Sequence, residues 1–168
     1  DSWNLLSCFG VEIKMKFVFD IDDTLYDLME PFRKAFLDTF KNFDVDIQTV
    51  FIKSREHSDL VFEQSMKGVI SVEDMYVYRI THALNDVGKI INRDQALMFQ
   101  KAYAYYQAQI ELNPVIIEIL NDLSKQNKLA GCITNGLSHH QKNKAKTLGL
   151  NKWFKDKQII VSGDFNVN

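Results

Sequence analysis

Residues 17–27 read FVFDIDDTLYD, and no other run limits the possible folds as much. Phe17, Val18 and Phe19 form a continuous apolar stretch, as in a strand buried within a parallel sheet. It ends abruptly in the carboxylates Asp20, Asp22 and Asp23. In open α/β sheets, ligands sit just beyond the carboxyl ends of the strands. Crowded like charges repel, and a core has no use for them. A cation, a shared proton or a phosphoryl substrate would explain their presence.

The rest of the chain follows a recognisable order. Asp27 is a candidate helix N-cap, and Pro31 falls early in the helical spacing of 28–42, where a first turn tolerates it. Helical patterns continue over 47–67, ended by Gly68, and from Ser71 to about Val87, where Ser71 and Asp74 resemble a capping box. Asn92 caps a fourth, which carries Leu97, Phe99, Tyr103, Tyr106 and Ile110. Residues 28–112 thus read as helices without a strand. Pro114 then opens a helix to Gln126, a short strand follows over 128–133, Ser138 caps a helix ending near Gly149, and 158–161 is a third strand. This order predicts an α/β fold, a parallel sheet core with helices on its faces and a large helical insertion.

Net charge of −2 without a basic block gives no reason to expect nucleic acid as a partner. No apolar run reaches the length of a membrane span, so no membrane partner is expected. Two cysteines, Cys8 and Cys132, suggest no disulfide framework and fit a reducing, cytoplasmic setting. No signal peptide is legible. Met15 stands directly before the first strand, so residues 1–14 read as an N-terminal extension, in which Val11 to Ile13 could lengthen that strand.

Asp20-Ile21-Asp22-Asp23-Thr24 after an apolar strand resembles the DxDxT motif of the haloacid dehalogenase superfamily. Gly131-Cys132-Ile133-Thr134-Asn135-Gly136 resembles its second motif, and Gln141 to Leu150 followed by Trp153-Phe154 resembles the segment after it. The resemblance covers roughly 15–168 and implies a Rossmann-like core of 15–27 plus 113–168, with 28–112 as a helical cap. It further implies a Mg²⁺-dependent phosphomonoester hydrolase acting on a small phosphorylated metabolite such as a nucleotide or sugar phosphate. Asp20 would attack phosphorus to form an aspartyl-phosphate. Asp22 would protonate the leaving oxygen and later activate water, starting from its protonated form. Thr24 would hold the loop and orient Asp22. Thr134 would donate to a phosphoryl oxygen, and the backbone amides near Asn135 and Gly136 would suit an anion. Mg²⁺ would bind the Asp20 side chain and the Asp22 carbonyl. Dehalogenase members lack an acid at the second position because a halide leaves without a proton. Asp22 therefore favours phosphoryl transfer.

The family also uses a Lys in a third motif and acids in a fourth. Residues 162–168 resemble the run leading to that Lys, where the sequence ends. The expectation is a fragment that binds Mg²⁺ poorly and turns over negligibly, with strand one left as an exposed edge. Lys142, Lys144 and Lys146 read as the solvated face of an amphipathic helix. Asp23 reads as a solvated loop acid. His139 and His140 point about 100° apart on a helix and share a ligand site poorly, so a solvated helix start is expected. His57 and His82 are isolated. Tyr103 and Tyr106 fit packing within the helical layer. Tyr26, after the acidic turn, is a candidate for the interface between layers. Two rival readings are a phosphoacceptor receiver domain and a catalytically dead binding module. A receiver places its acceptor on a later strand and has no long helical insert, and the order here speaks against it.

Overall fold

The computed structural model describes residues 15–165. The expected extension at 1–14, with Cys8 and the lengthened strand, and the last residues to Asn168 lie outside the described residues. The elements are β1 (Phe17–Phe19), α1 (Met29–Phe40), α2 (Ile47–Met66), α3 (Val72–Asp86), α4 (Arg93–Gln107), α5 (Pro114–Lys125), β2 (Leu129–Thr134), α6 (Ser138–Thr147) and β3 (Ile159–Val161). The fold is α/β. Its sheet is parallel, in the order β1-β2-β3, with Phe19 opposite Cys132 and Thr134 opposite Val161. Strand β1 is therefore an edge among the described residues.

Most of the capping signals work as the residues dictate. Ser71 accepts the Asp74 N–H at 3.0 Å, and Asn92 with Gln95 closes a capping box. Asn113 caps α5 ahead of Pro114. Asp27 accepts the Met29 N–H at 2.8 Å although the formal N-cap is Leu28. Ser138 is not a cap: it is the first residue of α6, and its hydroxyl donates to Asp164 Oδ1 at 2.5 Å.

Two apolar clusters hold the chain. In the α1–α4 layer Phe32 sits at the centre, edge-on to Phe99 at 5.0 Å, Phe51 at 5.2 Å and Tyr103 at 5.7 Å. Each such buried aromatic contributes about 2–3 kcal/mol through area removed from water, and edge-to-face geometry adds to it. Tyr103 is buried there. Tyr106 packs against the same cluster, its hydroxyl donating to Asp38 at 2.5 Å. The second cluster joins Leu120 of α5, Cys132 of β2, and Ala145 and Leu148 of α6 to Ile21, Leu25 and Tyr26 after β1. Cys132 is buried and free. The helices α5 and α6 cover one face of the sheet. Val18, Ile133 and Ile160, on the other, are exposed among the described residues. Gly131 is required by close approach: a Cβ there would lie 2.3 Å from the Gln158 carbonyl oxygen. No helix among the described residues is long and apolar enough to cross a membrane.

Candidate active site

Parallel pairing brings the tips of β1 and β2 to one edge of the sheet, with the Asp20–Asp23 turn beside Thr134-Asn135-Gly136. The turn is built locally. The Leu25 N–H donates to the Ile21 carbonyl at 3.1 Å, and Asp23 adopts the left-handed φ of 57°. Asp23 Oδ1 accepts the Leu28 N–H at 3.1 Å, so this acid fastens the turn to the start of α1 rather than standing free in solvent.

Asp20 is exposed, and one of its oxygens accepts the Ile21 N–H at 2.7 Å. Asp22 is far more enclosed. Its carboxylate accepts from Lys144 Nζ at 2.7 and 2.9 Å, from the Tyr26 hydroxyl at 2.6 Å and from Gln141 Nε2 at 3.0 Å. Burial pushes the Asp22 carboxyl up, but the Lys144 charge and the hydrogen bonds from Lys144, Tyr26 and Gln141 together outweigh it. The group is held below its ordinary value. The sequence reading expects Asp22 to begin protonated; these surroundings favour the carboxylate. Burial and the neighbouring Asp22 charge raise the Tyr26 phenol well above its usual range, so it stays a donor. Thr24 is exposed and is not among the partners of Asp22.

Thr134 is buried, and its hydroxyl has no hydrogen-bond partner among the described residues. An orphaned hydroxyl at a strand tip invites an acceptor such as a phosphoryl oxygen. Asn135 is exposed, and its side-chain oxygen accepts from the Ser162 hydroxyl. The Gly136 N–H donates to Ser162 Oγ at 3.0 Å, so this amide is already engaged.

Three further side chains surround this turn. Lys144, expected in solvent, is largely buried on Asp22, while Lys142 pairs with Asp164 on the exposed side of α6. His140, also expected in solvent, lines the cleft and meets the Tyr76 hydroxyl at 2.5 Å. Burial, then the charges of His139, Lys144 and Arg79, hold the imidazole down at about 4. Gln141 is buried and bridges Asp22 to the Asn135 carbonyl. Gln141, Lys144 and Leu148 recur at helical spacing, which is the signal that could have shown them sharing a face. His57, read as isolated, meets Asp86 at 2.8 Å.

For a divalent cation, the turn offers the Asp20 carboxylate and a main-chain carbonyl. Among the described residues, no three His, Cys, Asp or Glu side chains converge on a metal site. This donor set fits Mg²⁺, which keeps several waters and takes one or two carboxylates together with phosphate oxygens.

A parallel α/β sheet with acids at its first strand tip defines a Rossmann-like core with a candidate site at that tip, and comparison with known proteins narrows this. Residues 16–165 match the haloacid dehalogenase-like hydrolase family, and the chain belongs to it. No curated protein matches the chain. Solved structures share its fold. The HAD-hydrolase YfnB from Bacillus subtilis, solved bound to magnesium, aligns at a TM-score of 0.58 and 24% identity, over 89% of this chain and 64% of that one. The L-2-haloacid dehalogenase RSc1362 aligns at 0.61 and 18%, over 91% and 67%. A predicted phosphoglycolate phosphatase from Haemophilus somnus aligns at 0.55 and 17%, over 93% and 66%. The chain thus spans less than two thirds of the length of YfnB. These relatives include both phosphatases and dehalogenases.

Proposed function

We propose that this chain carries the nucleophile, the acid–base group and the phosphate-binding hydroxyl of a Mg²⁺-dependent phosphomonoester hydrolase, with α1–α4 acting as a helical cap. The observation that carries the reading is Asp22. A second acid enclosed beside the nucleophile serves an alkoxide leaving group, which needs a proton, and serves no purpose for a halide.

In this reading an Asp20 oxygen attacks phosphorus, the bond from phosphorus to the leaving oxygen breaks, and Asp22 gives that oxygen its proton. Asp22 then takes a proton from water as the water oxygen attacks the aspartyl-phosphate, releasing inorganic phosphate and restoring both carboxyls. Phosphoryl oxygens compete with Asp22 for Lys144. Once Lys144 turns to the phosphate, burial favours the proton on Asp22. Thr134 donates its orphaned hydroxyl to a phosphoryl oxygen. Bound Mg²⁺, held by Asp20 and the Asp22 carbonyl, would offset phosphate charge so that an anionic nucleophile can approach. Substrates are small phosphorylated metabolites. The free Cys132 supports a reducing, cytoplasmic setting.

The test compares two leaving groups in full-length protein. Release of p-nitrophenol from p-nitrophenyl phosphate with Mg²⁺, lost in Asp20→Asn, and no chloride release from L-2-chloropropionate are the expected results. Chloride release without phosphatase turnover would overturn the reading.

A further inference from the structure

A cleft of about 140 Å³ separates the helical layer from the strand tips, and Arg55 of α2 and Arg79 of α3 both line it. Arg79 is held in a frame. Its guanidinium carbon lies 4.8 Å from the Tyr76 ring centre and 5.6 Å from that of Tyr103, and Nη2 donates to Gln100 Oε1 at 2.8 Å. Tyr103 is buried and Tyr76 is tied to His140 on α6, so the frame is itself fixed. A guanidinium carries five N–H donors, and Arg79 makes this one side-chain hydrogen bond among the described residues.

No carboxylate pairs with Arg79 or Arg55 among the described residues, although the two cations act on each other. Across the cleft the charge of Lys144 is already spent on Asp22. Asp59, one turn after Arg55, lines the same cleft but is exposed. Enclosing a guanidinium without a matching anion is costly. Stacking it between tyrosines preorganises a fork that suits a planar carboxylate or a phosphate.

We propose that Arg79, assisted by Arg55, binds a second anionic group, a carboxylate or a phosphate, on the leaving-group side of the substrate. This rests on the phosphoryl-transfer reading above and narrows it to short phosphomonoesters bearing a further anion. The small cleft sets the short reach.

Calorimetric titration of full-length protein with Mg²⁺ and non-hydrolysable phosphonates tests this. The ligands are propylphosphonate, 3-phosphonopropanoate and propane-1,3-diylbisphosphonate, with their two- and four-carbon homologues. At one chain length, a terminal anion should tighten binding by about tenfold or more over the plain alkyl ligand, and the tighter arm names the anion. Arg79→Gln should bring that ligand down to the alkyl affinity. Arg55→Gln, an exposed and foldable substitution, should weaken it in the same direction. Equal affinities across all arms, with the alkylphosphonate still bound, overturn this proposal and leave phosphoryl transfer standing. No binding of any phosphonate to folded full-length protein overturns both.

Discussion

Replacing Lys144 by Met removes the cation from Asp22 while keeping the length of the buried stem. The pair is short, 2.7 Å, and enclosed, with side-chain exposures of 12% for Lys144 and 17% for Asp22. At an effective dielectric constant of about 20, unit charges at roughly this separation attract by about 6 kcal/mol. Desolvation has already consumed part of that, and Tyr26 and Gln141 continue to hydrogen-bond the carboxylate. The expected loss is therefore about 3 kcal/mol, the low end for stranding one partner of a buried pair. For a chain of this size that corresponds to a fall in Tm of roughly 6–12 °C. Urea denaturation followed by circular dichroism measures it, with Lys142→Met as the control. Lys142 is on the same helix and also paired at 2.8 Å, but its side chain is 55% exposed, so its loss should go unnoticed. Adding Asp22→Asn to Lys144→Met should recover part of the loss, because the stranded charge is then gone. If Lys144→Met is as mild as Lys142→Met, the enclosed pair does not exist in solution.

Gly131→Ala would press a methyl group against the Gln158 carbonyl and should cost about 2 kcal/mol or more by urea denaturation; a neutral change would mean the β2–β3 contact is looser than described. In full-length protein, Asp22→Asn should slow alkyl phosphates far more than p-nitrophenyl phosphate, and equal slowing would remove the proton-transfer role. His140 has its folded value depressed from 6.5 to about 4, chiefly by burial. The unfolded chain therefore binds a proton that the folded chain refuses, and stability should fall as pH drops from 6.5 towards 4. His140→Gln should flatten that slope, and an unchanged pH dependence of Tm would refute it.

What the sequence disclosed follows from what periodicity can report. The strand run before Asp20, the caps at Ser71 and Asn92, the helix opened by Pro114, and the parallel sheet all rest on local chemistry or apolar spacing, and each sits within a residue or two of its expected place. On α6, Lys142 and Lys146 are exposed as expected, and Lys144 alone departs from the solvated face, for a physical reason. Apolar spacing marks the face that meets a hydrophobic core, but Gln141 and Lys144 turn inward towards a carboxylate, and an inward polar face looks like a solvated one. Ser138 had cap-forming chemistry, yet its hydroxyl found Asp164, a partner beyond the reach of local sequence. The bonds of Asp23 and Tyr26 depend on a left-handed turn that residue types do not announce.

The central claim is that the tip of β1 takes a phosphoryl group onto Asp20. Acid quenching of full-length protein during turnover, followed by peptide mass spectrometry, tests it most directly. The account predicts a phosphoryl adduct on the peptide spanning 17–27, located at Asp20 and absent from Asp20→Asn. Turnover with an adduct on another residue would contradict it.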